Sequence, residues 1–144
     1  MQTYSFIVEL RIWHPNVDPA AISAELGVQP KFLGKAGERR KTRSGTVLAG
    51  TWRESYWSGE LFQYGECLSH ERSIEDVLAE AIEELKPHQA FLLQLQAEGG
   101  RLLLQASSYS NRNYALELSP AILGELCALG LGFAHDVYPC AQRW

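Results

Sequence analysis

Hydrophobic and polar positions alternate at the start of the chain. Phe6, Val8, Leu10 and Ile12 fall on one side of an extended backbone, and Ile7, Glu9, Arg11 and Trp13 on the other. That period of two predicts a strand over residues 4–13 with one buried face, ended by His14-Pro15-Asn16. Asp18 then offers an N-cap with Pro19 in the first helical position. Ile22 and Leu26 share a face and Gly27 supplies a stop, so residues 19–26 read as a short helix. The periodicity vanishes over 29–45, where Pro30, Gly34, Gly37 and Gly45 predict a long exposed loop. Val47, Trp52, Tyr56 and Trp57 predict at least one strand within 46–57, followed by an irregular stretch over 58–72.

Ser73, with Asp76 three residues on, resembles a capping box. Behind it Ile74, Val77, Leu78, Ala81, Ile82 and Leu85 form a helical stripe that Pro87 ends. Residues 90–98 and 101–109 flank Gly99-Gly100 and read as a hairpin, with Glu98 opposite Arg101 and Leu95 opposite Leu104. A further strand is expected at 114–118, a helix opened by Ser119-Pro120 and closed by Gly130, and a last strand at 131–138. Antiparallel hairpins between helices, with one polar sheet face, favour an α+β two-layer sandwich with its helices on one face. A ferredoxin-like or duplicated arrangement is one version of it. The expected organisation is a single domain over 1–144, with 29–45 as its basic loop and 140–144 as a C-terminal tail.

Composition changes this picture little. The chain has 144 residues, 46% of them hydrophobic and 21% charged, within the range of ordinary globular domains. No leader is expected, since the N-terminus lacks a basic region and Glu9 and Arg11 interrupt the apolar run. The longest apolar stretch, 126–134, is far short of a membrane span. Three scattered cysteines, Cys67, Cys127 and Cys140, argue against a disulfide framework and for a cytoplasmic protein.

Charge changes it more. Lys31, Lys35, Arg39, Arg40, Lys41 and Arg43 face Glu38 alone within 31–43, a local net of +5 in a chain of net −4. From Glu66 to Glu84, seven acids stand against Arg72. Self-association or an intramolecular clasp would use both patches.

The alternating first strand, Asp18-Pro19, Leu26-Gly27-Val28-Gln29-Pro30, the glycine-rich basic loop through Gly37, Thr51-Trp52 and Leu85-Lys86-Pro87 together resemble the bacterial domain of unknown function 4279 (DUF4279). The resemblance implies a small stand-alone bacterial protein and supplies no established activity. An immunity or accessory role beside a toxin would suit such a family.

Candidate chemistry is sparse. Cys67 and His70 form a C-x-x-H half-site that His135 and Cys140 would complete for zinc, although ordinary core and tail cysteines account for the same residues. Gly34-Lys35-Ala36-Gly37 lacks the spacing of a phosphate loop, and no G-x-S-x-G is present. His135 and Asp136 are adjacent in a strand and so face opposite sides. No catalytic residue and no cofactor is expected. The basic loop with nearby aromatics is the remaining signal, giving Lys35, Arg39, Arg40, Lys41, Arg43, Trp13, Trp52 and Trp57 as candidate binding residues. A non-enzymatic protein-interaction domain is the leading expectation. The alternative is an anion- or nucleic-acid-binding domain using the same loop.

Overall fold

A computed structural model describes residues 3–61 and 65–139. Strand β1, Ser5–His14, is followed by helix α1, Pro19–Leu26, whose Asp18 side chain accepts from the Ala20 amide and whose stop, Gly27, sits at φ 65°. Short strands β2, Phe32–Gly34, and β3, Arg39–Lys41, come next, then β4, Val47–Thr51, and β5, Ser55–Gly59. After the two-residue β6, Cys67–Leu68, comes α2, Ile74–Leu85, capped by Ser73 accepting from the Asp76 amide. A 3-10 turn, Lys86–His88, joins it to α3, Gln89–Ala97. Strand β7, Arg101–Tyr109, helix α4, Pro120–Ala128, and strand β8, Gly132–Tyr138, complete the chain.

The main sheet has the order β2-β5-β1-β7-β8, with β6 pairing the start of β1; β3 and β4 form a separate hairpin. All pairs are antiparallel except β7 with β8, which α4 connects. Phe6, Leu10, Ile12, Trp57, Leu102, Leu104 and Ala106 form one core with Ile74, Leu78, Ile82 and Leu85 of α2, Leu92 and Leu95 of α3, and Leu126 beside them. The helices therefore cover one face of the sheet, and the expected two-layer α+β sandwich is what forms. With five strands, β2 to β6, between α1 and α2, its element order is more elaborate than a ferredoxin-like β-α-β-β-α-β unit.

The largest correction concerns residues 90–98, which are helix α3 and not the first arm of a hairpin. A strand would bury Phe91, Leu93 and Leu95 alike, whereas Leu92 and Leu95 are buried at helical spacing and Leu93 is exposed. The glycines stop that helix. Gly99 takes φ 100°, its amide donates to the Gln96 carbonyl, and the Gly100 amide donates to that of Leu95. In place of the expected pairing, β7 lies along β1, with Ile12 opposite Leu102 and Trp13 opposite Arg101.

Two smaller corrections follow. Residues 114–118 join no ladder; Tyr114 instead stacks on Tyr4, ring centroids 4.0 Å apart. The segment 29–45 is not a bare loop, since β2 pairs with β5 and β3 with β4. The 46–57 stretch holds β4 and the start of β5, in line with the expectation of at least one strand there. The predicted tail, 140–144, lies outside the described residues.

Candidate functional site

Strand parity sorts the open face of the sheet into rows. Tyr56, Trp13 and Arg101 lie side by side across β5, β1 and β7, and the next row holds Phe32, Ser58, Arg11 and Leu103. Arg11 and Trp13 share this face because they are two residues apart on one strand. The Arg11 guanidinium lies 4.9 Å from the Trp13 ring and 5.5 Å from that of Tyr56. Its Nε donates to the Tyr56 hydroxyl at 2.8 Å and its Nη1 to Gln105 Oε1 at 2.6 Å. Arg101 lies over the same Trp13 ring at 4.6 Å. Such contacts hold a guanidinium in place while leaving part of its N–H edge free.

The β3–β4 hairpin forms the other wall. Two bonds, Gly37 amide to Trp52 carbonyl and Trp52 amide to Glu38 carbonyl, join its base. Arg39 pairs with Thr51 and Lys41 with Val47, so three residues of β4 oppose Arg40 alone, with Gly50 at φ 84°. A bulge of this kind re-aims side chains, and Arg40, Lys41 and Arg43 all reach the space between hairpin and sheet. Trp52 lies flat on Gly34, where an added Cβ would stand 2.8 Å from the indole. Phe32 meets Trp52 edge-on at 5.9 Å, and Arg40 sits 5.8 Å from the Trp52 ring.

The result is a cleft of about 720 Å³ lined by Arg11, Arg40, Lys41, Arg43 and Arg53, by Trp13, Phe32, Trp52 and Tyr56, and by one acid, Glu54. Of the sequence candidates, Trp13, Trp52, Arg40, Lys41 and Arg43 come together here, while Lys35 and Arg39 are not in the lining. Trp57 is a correction. It is fully buried on the helix side, where its Nε1 donates to Ser23 Oγ at 2.9 Å, so it faces no partner. Arg11 and Tyr56 were legible as strand neighbours of Trp13 and Trp57. Phe32 and Arg53 carried no signal in the sequence; the pairing of β2 with β5 brings in the first, and the link from β4 to β5 the second.

The zinc set does not assemble. Cys67 lies next to β1, opposite Phe6, with its thiol pushed up by burial, and His70 is exposed beside Glu71. His135 is on β8, three strand spacings or about 14 Å from β6. Cys140 lies outside the described residues, and among those described no group of His, Cys, Asp and Glu could hold a metal. The intramolecular clasp is likewise not made: among the described residues, Arg39, Arg40, Lys41 and Arg43 pair with no acid, and Lys31 pairs with Glu9 and Glu60.

His135 and Asp136 do face opposite sides. His135 Nε2 bonds the Ser108 hydroxyl at 2.8 Å and the Tyr114 hydroxyl at 2.7 Å, while Asp136 accepts from Tyr138. Burial holds the His135 pKa below its usual 6.5, against a smaller upward pull from Asp136. The unfolded chain therefore takes the proton first, so this group's contribution is constant above about 6.5 and becomes destabilising as pH falls below it. In an NMR titration the His135 midpoint is expected below 6.5, and lower still in Asp136→Asn; a midpoint at or above 6.5 would refute the burial account.

No helix among the described residues is long and apolar enough to cross a membrane. Comparison with curated proteins and with solved structures finds no match. The family model for a domain of unknown function, DUF4279, matches residues 2–139, and the chain belongs to that family.

Proposed function

We propose that the protein is a non-enzymatic binding module whose cleft, between the open sheet face and the β3–β4 hairpin, receives an anionic partner. The observation that supports this reading is the pairing of guanidinium groups with aromatic rings in one concave space. A guanidinium already held against a ring loses less freedom when an anion arrives. Arg11 commits Nε and one Nη1 proton to Tyr56 and Gln105, and its other N–H groups remain for a phosphate or carboxylate. The lining offers charge, stacking surface and the hydroxyls of Thr42 and Thr51, the chemistry of recognition.

A protein partner of the immunity or accessory type is the second reading, and one observation favours it. Leu33 on β2 and Val47 on β4 are 44% and 52% exposed, adding apolar surface to the edge strand β2 and to the hairpin whose other strand carries Arg40 and Lys41. A cytoplasmic setting, suited by the free thiols of Cys67 and Cys127, belongs to both readings.

Trp13 and Trp52 make the cleft its own reporter. Pyrophosphate added at low ionic strength is expected to change tryptophan emission saturably, and the change should weaken as salt rises. No saturable change up to about 10 mM would remove the anion reading.

A further inference from the structure

Within the anion-binding reading, on which this step rests, we infer that the cleft's ligand is a compact polyphosphate bearing a planar ring, of the nucleoside di- or triphosphate class. Three features of the cleft lead there.

The first is charge. Five cations against Glu54 leave a net +4 inside about 720 Å³. A single phosphate monoester, at about −2, would neutralise half of that, whereas two or three linked phosphoryl groups match it. The space itself falls within the range of about 300–1,000 Å³ typical of small-molecule sites.

The second is the ring cluster. Trp13 and Tyr56 are 5.4 Å apart, Tyr56 and Phe32 5.7 Å, and Phe32 and Trp52 5.9 Å, so the four rings form one continuous apolar wall beside the cations. Trp52 is backed by Gly34, and the Arg40 guanidinium lies over its ring. A heteroaromatic base that moves the Arg40 head aside gains a stacking surface and leaves that guanidinium to its own phosphate.

The third feature limits length. Moving along β1 from the Trp13 row, the face turns from cationic at Arg11 to acidic at Glu9, one row and about 7 Å further on. Asp136 lies on the following row and Glu66 beside Ser5 beyond it. Lys31, the nearest cation on that side, is already held by Glu9 and Glu60. A nucleic-acid strand laid across this face would bring successive phosphates onto carboxylates. A ligand that ends within the two cationic rows meets none of them.

Isothermal titration of the full chain at low salt would compare ATP, AMP, adenosine, pyrophosphate and a single-stranded RNA oligomer. ATP is expected to bind about 10–100 times more tightly than AMP, and several-fold more tightly than pyrophosphate. Trp52→Ala should erase the advantage over pyrophosphate while leaving pyrophosphate binding in place, and Trp52→Phe should keep part of it. Equal affinity for ATP and AMP, no advantage of ATP over pyrophosphate, or tighter binding of the RNA oligomer than of ATP would each overturn this inference while leaving an anion cleft standing. Binding of none of the anions would remove both.

Discussion

Trp57→Ala is expected to lower stability by about 3–5 kcal/mol, the range for truncating a large aromatic side chain in a packed core. The side chain is fully buried in the sheet's helix-facing side, beside Ile12 in the ladder, and its Nε1 bonds Ser23 of α1. It is packed so closely that a Cβ on Gly59 would stand 2.7 Å from the indole. Truncation leaves a large cavity bounded by strand backbone that cannot collapse onto it, and leaves the Ser23 hydroxyl without its donor. For a domain of this size the loss corresponds to a fall in melting temperature of about 10–20 °C. Urea denaturation measures it directly. A change within about 1 kcal/mol would show that the core does not depend on this ring. Trp57→Phe, which keeps an aromatic body but not the N–H, should fall between the two.

Neutralising Arg40, Lys41 and Arg43 together should weaken pyrophosphate binding by about a hundredfold and leave the melting temperature nearly unchanged. Hydrogen bonds to charged groups are worth about 1.5–3 kcal/mol each, and exposure on the hairpin reduces the sum through solvent screening. Among the described residues these three pair with no acid, so their removal breaks no ion pair of the fold. The informative contrast is Lys35→Ala with Arg39→Ala. Those two residues belong to the same basic run but lie outside the cleft lining, and their loss should shift affinity by less than about twofold. Equal losses in the two variants would mean that the run acts as a diffuse charged patch. A large drop in melting temperature for the triple variant would mean that the hairpin holds the fold.

The two experiments separate residues that the sequence presents alike. Trp52 and Trp57 follow the basic run and Trp13 lies on the first strand, and residue type alone ranks all three as hot-spot candidates. The fold sends Trp57 to the helix side and Trp13 to the open side. That assignment follows from the ladder: Trp57 lies opposite Ile12, a residue of the buried row, and Trp13 lies opposite Tyr56 and Arg101. Parity along β1 was readable from its alternation. Parity along β5 was not, because Tyr56 and Trp57 are both large, aromatic and acceptable on either face.

The same division runs through the rest of the chain. Local chemistry settled β1, the α1 start at Asp18-Pro19 and its stop at Gly27, the Ser73 cap and stripe of α2, and the Ser119-Pro120 start of α4. Each rests on side chains acting within a turn or two of their own backbone. Residues 90–98 were decided elsewhere. Phe91-Leu92-Leu93-Gln94-Leu95-Gln96 satisfies both periods over so short a run, and Gly99-Gly100 serves a helix stop as well as a hairpin turn. Packing of Leu92 and Leu95 into the core, with β7 taken by β1, selects the helix. The cleft belongs wholly to tertiary structure. Arg11 and Arg40 are 29 positions apart in the sequence and meet only because β5 pairs with β1, β2 with β5, and the β4 bulge turns the hairpin's cations inward. The sequence by itself determined that the chain carries a basic run and several exposed-strand aromatics. Long-range strand pairing, which no local window encodes, decided that they face one another across a single space.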